Sequence, residues 1–339
     1  MSRTRPPKGH RVLGTRYSVL GTVVLLSCTP PAPDLPLARV TIPAGSTFRA
    51  VTDTVAAHGL IASRLWFRLL ARVRGADRTV KAGIYDLPEG VNSWYLLNIL
   101  KAGRVATARF TVPEGLTLRE LAGLAHTRLG FPAESLLASA RDPELRQRLG
   151  VSSPSLEGSL LPETYTLPLP VTAEALTQAM VAEFERQWQP GWQQRLDSLH
   201  MSRTQLLTLA SIVEGEARHD DERATIAGVY HNRLRLGMLL QADPTVQYAI
   251  EIATGERKTR LLFKDLEIES PYNTYLHSGL PPGPVNSPGI KSIEAALYPA
   301  TVPWLYFVAG PDGHHVFSRT LEEHNRAIAE VRRGEKVSR

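Results

Sequence analysis

Residues Leu206–Gln241, LLTLASIVEGEARHDDERATIAGVYHNRLRLGMLLQ, constrain the fold more than any other stretch. They read as two helices joined by a charged turn and run into Ala242-Asp243-Pro244-Thr245. Five apolar or small residues, Leu209-Ala210-Ser211-Ile212-Val213, precede Glu214, so this carboxylate sits inside an apolar segment. A carboxylate in such a setting is either an ion-pair partner or an acid with a raised pKa, and only the acid does proton chemistry near neutral pH. Arg218 lies four residues on and offers an i,i+4 pair with Glu214. Successive helical residues turn by about 100°, so Glu216 faces away from Glu214 and is expected to be solvated. The two do not form a two-carboxylate pair of the glycosidase kind.

Composition bounds the remainder. The chain has 339 residues, 43% hydrophobic and 21% charged, which fits a packed protein of two or three domains. Its net charge of +6 comes mostly from Arg3, Arg5, Lys8, Arg11 and Arg16, so a nucleic-acid surface is not indicated. The only cysteine is Cys28, which excludes an intrachain disulfide. No His/Cys cluster has ligand spacing; His314-His315 follows a Pro-Asp-Gly turn and is read as structural. No phosphate loop, dinucleotide fingerprint or nucleophile elbow is present, and no metal or cofactor is expected.

The N-terminus is read as an export or anchor signal. Residues 1–16 are basic, 17–28 (YSVLGTVVLLSC) almost wholly apolar, and 29–36 Pro-rich. The apolar run is shorter than the ~20 residues that span a bilayer. It is therefore a short anchor, or a lipoprotein signal processed at Cys28. Either reading puts the remainder outside the cytoplasm.

Further along, Arg39–Thr47 reads as strand, turn and helix start, followed by helices to about Gly59 and over Ser63–Arg74. In the latter, Leu65, Trp66, Leu69, Leu70 and Val73 repeat at helical spacing. Lys81–Leu87 is strand-like and Trp94–Leu100 helical. Phe110-Thr111-Val112-Pro113-Glu114-Gly115-Leu116-Thr117 repeats the grammar of Val40-Thr41-Ile42-Pro43-Ala44-Gly45-Ser46-Thr47. Residues 155–168 read as an irregular connector. Helices are expected over about 172–188, 202–218 and 222–236, then a long loop over 261–289. A helix Ile290–Leu297, a hairpin through Pro311-Asp312-Gly313 and a final helix capped by Thr320 and Glu323 complete the chain.

Polar residues near the helix pair suit carbohydrate. Asn232 and Arg233 can bond a carboxylate or a sugar amide, and Gln241 and Asp243 lie just beyond. Tyr272, Asn273 and Tyr275 sit on a loop stiffened by Pro271 and Pro281-Pro282-Gly283-Pro284. Aromatic rings stack on sugar faces, and amides bond hydroxyl or acetamido groups. Each of these residues also has a plain structural reading.

Residues about 39–333 resemble the YceG-like endolytic murein transglycosylases. The resemblance rests on Ala210–Glu214, Gly228-Val229-Tyr230-His231-Asn232-Arg233-Leu234, Leu240–Val246, Ser270–Tyr275, Gly279–Pro284 and Leu305–Ala309. Leu156-Glu157-Gly158 and Pro162–Tyr165 match the family's connector. The resemblance implies an α+β protein: a basic segment (1–16), an anchor and linker (17–36), a LysM-like domain (37–108), a second small α+β region and connector (109–170) and a helix-rich catalytic domain (171–335). It implies catalysis by Glu214, with Asn232, Gln241, Asp243, Tyr272, Asn273 and Tyr275 positioning glycan. Peptidoglycan strands, a membrane and peptidoglycan synthases are the implied partners. The implied reaction is cleavage of the β-1,4 bond from N-acetylmuramic acid to N-acetylglucosamine without water, leaving 1,6-anhydro ends. A hydrolytic muramidase and a non-catalytic wall-binding scaffold are the alternatives. Gly215 departs from the basic or polar residue common in the family.

Overall fold

The computed structural model describes residues 35–148, 151 and 153–337. The basic segment, the apolar segment and Cys28 lie outside the described residues. The architecture is mixed α+β and helix-rich, with three two-stranded sheets among the described residues. No helix among the described residues is long and apolar enough to cross a membrane. Two units are distinguished. One holds residues 35–40, 46–81 and 86–104; the other holds 41–45, 82–85 and 105 onward, without a break near 170.

The first unit holds α1 (Phe48–Ala57), α2 (Arg64–Val73), α3 (Ser93–Ala102) and parts of β1 (Leu37–Ile42) and β2 (Gly83–Pro88), which pair with each other. Each helix starts at a side-chain cap: Thr47 accepts from Ala50 N, Ser63 from Trp66 N and Asn92 from Tyr95 N. Such caps satisfy donors that a helix start leaves unpaired. Val51, Val55, Phe67, Ala71, Leu96, Leu97 and Leu100 are buried. Phe67 stacks on Phe48 at 5.9 Å. The sequence periodicity of α2 is real, but Phe67 and Ala71 are its buried residues. Leu65, Trp66, Leu69 and Val73 are exposed.

The second unit opens with β3 (Thr107–Thr111), α4 (Leu118–Leu129), α5 (Ala133–Arg141), α6 (Pro143–Arg148), β4 (Thr164–Pro168) and α7 (Ala173–Gln187). β3 and β4 run antiparallel with Phe110 opposite Tyr165. Their inward residues join Leu121, Leu136, Leu176 and Met180 in one core. A second core follows from α8 (Pro190–Leu199), α9 (Arg203–Glu216), α10 (Arg223–Arg235), α11 (Asp243–Thr254) and α12 (Ile290–Leu297). β5 (Tyr306–Ala309), β6 (His315–Ser318) and α13 (Leu321–Val337) close the chain. In α9 every residue from Leu206 to Val213 is buried, as expected of a helix that is apolar all round. It begins at a Ser202–Gln205 capping box, and Ala217 turns to an extended conformation just past Glu216.

α5, α6, α8 and α11 were not expected from the sequence. The Leu261–Gly289 stretch is irregular except for a 3₁₀ turn, Phe263–Glu267. Asn273, fully buried, fastens it: its amide donates to Leu266 O and Ile268 O at 2.9 Å, and its carbonyl accepts from Tyr275 N at 2.9 Å.

Two features give fold predictions. α10 meets the chain after α12 backbone to backbone, with Ala300 N donating to Ala224 O at 2.9 Å. A Cβ on Gly228 would lie 2.4 Å from Ala300 O. Alanine gains about 1 kcal/mol of helix propensity, but overpacking against a fixed carbonyl outweighs it. Gly228→Ala is expected to lose about 1–2 kcal/mol net, a Tm fall of about 2–8 °C in thermal unfolding.

Glu157 is buried, and its two oxygens accept from Leu118 N at 3.0 and 3.1 Å at the start of α4. Burial pushes its pKa up to about 8 from 4.5. The native state therefore holds a proton that the unfolded chain releases. The stability this lends is complete below about pH 4.5 and is lost as the pH rises through about 8. In urea unfolding at pH 5 and 8.5, Glu157→Gln is expected to lose less stability between the two than the parent does.

Candidate active site

Glu214 stands in the last turn of α9, and three donors converge on its Oε2. Gly289 N donates at 3.1 Å, Ser292 Oγ at 2.9 Å, and the Arg223 Nη1 lies at 3.1 Å. Gly289 is the N-cap of α12 and has no side chain to cap with. The Glu214 carboxyl accepts from the N–H of that residue and from the Ser292 hydroxyl, facing the partial positive charge of the helix start. Among the described residues no hydrogen bond is made to Oε1, so one oxygen is held and the other is available.

Arg223 is the first residue of α10, and its guanidinium is buried. Its Nε donates to Asp220 Oδ1 at 3.0 Å, and its Nη1 also donates to Ser292 Oγ. Its Nη2 lies 3.9 Å from Glu114 Oε2. Glu114 comes from the turn between β3 and α4, about a hundred residues earlier in the chain. That turn is strapped to the loop before α12: Gly115 N donates to Ser287 O, and Ser287 N to Leu116 O, both at 2.9 Å. Arg257 adds a bond to Gly115 O at 3.1 Å. The loop is in turn fixed to α9, with Val285 N donating to Ser211 Oγ at 3.0 Å and Asn286 Nδ2 to Ser211 O at 2.9 Å.

One glycine permits this crowding, and another, Gly115, serves the turn through its positive φ of 76°. A Cβ on Gly289 would fall 1.9 Å from Glu114 Oε1, and one on Gly115 would sit 3.7 Å from Glu214 Cγ. Glu114 thus shares the cleft with Glu214. Burial raises the Glu114 pKa, and the Glu214 charge raises it further. A second carboxylate is therefore present, although it is not the one weighed from helical spacing.

Glu216 does face away, as its spacing requires, but it is half-buried and hydrogen-bonded, not free in solvent. Tyr230 OH donates to its Oε1 at 3.1 Å. Burial, with the Asp243 charge, pushes its pKa to about 7. Asp243 accepts from Tyr275 OH at 2.7 Å. Gln241 takes a left-handed φ of 50°, and its Oε1 lies 3.5 Å from Arg233 Nη1. Gln241, Asp243 and Tyr275 therefore gather on the Glu216 side of α9. Pro244 covers Gly215 between the two acids; a Cβ there would meet its ring at 2.5 Å.

The remaining expected residues divide between surface and scaffold. Tyr272 is half-buried, with its ring edge-on to Tyr248 at 4.9 Å. Asn232 donates to Val302 O at 2.8 Å and Trp304 O at 3.1 Å, which leaves only its carbonyl for a ligand. Asn273 has no polar atom left for a glycan, for the reason given above. Arg218 does not pair with Glu214: α9 ends at Glu216, the i,i+4 geometry fails, and Arg223 takes the role. His315 donates through N to Glu222 Oε1 at 2.7 Å, and its ring bonds Oε2 at 2.9 Å, which ties the hairpin to the turn before α10.

Glu114, Arg223, Ser292 and Gly289 were missed. A signal for Glu114 was present in the two repeated turns. The first carries Ala44 where the second carries Glu114, so the acid is not needed to make the turn.

A model of the YceG-like family matches residues 40–330. The endolytic murein transglycosylase of Bacillus subtilis (strain 168) is 34% identical over 305 residues, covering 85% of this chain and 83% of that protein. The endolytic murein transglycosylase of Streptococcus pneumoniae serotype 2 (strain D39 / NCTC 7466) is 32% identical over 319 residues. That match covers 86% of this chain but only 58% of the pneumococcal protein. A crystal structure of a yceG-like protein from Listeria monocytogenes superposes with a TM-score of 0.59 at 34% identity, covering 87% of this chain and 100% of that one. On the extent of the family match and the identity of these relatives, the chain belongs to the YceG-like family.

Proposed function

We propose that this chain is an endolytic murein transglycosylase that cuts the β-1,4 bond between N-acetylmuramic acid and N-acetylglucosamine and so terminates strand elongation. The observation that carries the reading is Glu214, with one oxygen fixed by three donors and the other unbonded. Two hydrogen bonds and the Arg223 ion pair occupy Oε2, so Oε1 is the oxygen proposed to present the acid proton. From there it passes to the leaving glycosidic oxygen. Positive charge develops at muramic C1 and is stabilised by the sugar's own acetamido group, an exception to the two-carboxylate rule. Glu214, now ionised, takes the proton of the C6 hydroxyl as that oxygen bonds to C1, closing the 1,6-anhydro ring. Arg223 and the start of α12 stabilise the carboxylate while it lacks its proton. Gln241, Asp243, Tyr272 and Tyr275 are proposed to bind flanking sugars, with Asn232 offering its carbonyl.

The remaining readings are proposals of the same kind. The first unit is LysM-like. The N-terminal segment tethers the chain to the cell membrane through residues 17–28 or a lipid on Cys28, with the site on the wall side. Synthases of the same glycan are partners.

One observation favours a second reading. Glu114, a carboxylate beside Glu214, is the kind of group that would activate water in a hydrolytic muramidase.

Glu214→Gln is expected to lower cleavage of intact glycan by at least about 10²-fold while the far-UV spectrum stays native. Persistence of 1,6-anhydro ends with the purified variant would show that another residue is the acid. Mass spectrometry separates the two chemistries, because the hydrolytic product is heavier by one water. Anhydro products are expected from the parent and also from Glu114→Gln. A hydrated product that disappears in Glu114→Gln would establish the hydrolytic reading instead.

A further inference from the structure

The α2 helix carries an apolar face that nothing among the described residues covers. Leu65 is 76% exposed, Trp66 56%, Leu69 53% and Val73 77%. At about 100° per residue these four occupy one sector roughly 100° wide. Arg72, Arg68 and Arg64 continue from one edge of that sector, on the side away from Trp66, while Phe67 and Ala71 point into the core. No acid occurs between Asp53 and Asp77, whereas Arg64, Arg68, Arg72 and Arg74 fall in that interval. Arg64 pairs with Asp53 at 3.3 Å, and Arg74 lies over the Trp94 ring at 3.7 Å. No side-chain ion pair engages Arg68 or Arg72 among the described residues.

We propose that α2 lies on the surface of an anionic lipid bilayer, with Leu65, Trp66, Leu69 and Val73 entering the headgroup boundary and Arg68 and Arg72 on lipid phosphates. An exposed aliphatic stripe gains by leaving water, and an indole is at home where the medium changes from apolar to wet. Guanidinium groups match phosphate oxygens in pairs. A strong apolar face beside a basic one is the form of a helix that rests on a membrane without crossing it. A glycan is the poorer fit, because residues 64–73 contain no amide, hydroxyl or carboxylate side chain. The proposed tether adds to this. It ends at Cys28, and the described fold begins at residue 35, which at about 3.5 Å per residue is ~25 Å of chain at most. The lipid face does not depend on the proposed chemistry, and the test below reads it separately from the tether.

The experiment uses the full chain with Cys28→Ser and a single new cysteine, Leu69→Cys, carrying an environment-sensitive fluorophore. A second protein carries the label through Glu330→Cys on α13. With vesicles containing phosphatidylglycerol, the label at 69 is expected to shift to the blue and to be quenched by brominated acyl chains, while the label at 330 stays solvent-like. Adding Arg68→Gln and Arg72→Gln is expected to weaken the quenched association roughly 25-fold, and raised salt is expected to weaken it as well. Flotation reports tether binding independently. A protein that floats with the vesicles while position 69 remains solvent-like overturns the proposal and leaves the tether standing. A blue shift that grows with protein concentration without lipid, or appears only with glycan strands, assigns the face to a second copy or to glycan and also overturns it.

Discussion

A single buried guanidinium, that of Arg223, organises the cleft. It touches Asp220 in the turn before its own helix, Ser292 in the first turn of α12 and Glu214 at the end of α9, and it approaches Glu114 on the β3–α4 turn. Burying a cation is tolerable only when its charge and donors are matched. Arginine suits this position because its planar fork serves several partners at fixed angles and stays charged. The dependence is mutual. Glu114 and Glu214 could not share one cleft as two anions without that charge between them, and the turn carrying Glu114 would have no electrostatic reason to approach α9.

The last turn of α9 holds two acids in opposite settings. Glu214 is matched by a cation, a helix start and a hydroxyl. Glu216, two residues on, is held by burial and by the field of Asp243, so its proton is bound more tightly than usual even though the Tyr230 phenol donates to it. Helical rotation turns the two acids to opposite faces. The Pro244 ring on Gly215 keeps them apart, and it gives a physical reason for the smallest residue there.

Much of this was legible in the sequence because it was local. The run before Glu214 declared a helix with one acid in an apolar segment, and Thr320 with Glu323 declared the capping box that the structure contains, with Thr320 N and Glu323 N each bonded to the other's side chain at 3.2 Å. What was not legible was distant or depended on an endpoint. The supposed Arg218 partnership required α9 to continue, and Ala217 ends it. Glu114 reaches Glu214 through hydrogen bonds across some 170 residues, which no periodicity records. Asn273 looked available because asparagine on a loop is usually wet, yet its amide is what gives that loop its shape. In α2 the spacing identified a helix but could not say which stripe was inside. Five large apolar residues outvoted Phe67 and Ala71 in the pattern, and the fold chose the smaller set.

The straps between the β3–α4 turn and residues 285–289 also bear on how the molecule can be divided. A fragment beginning near residue 171 would keep Glu214, Arg223 and all of α12, and by length it would pass for a catalytic domain. It would lack one wall of the cleft. Ser287 N and O would lose their partners on Leu116 and Gly115, and β4 and β3 would both be missing from the core beneath α7. The smallest portion that preserves the cleft begins before β3, so recombination between relatives is penalised anywhere from β3 to α12.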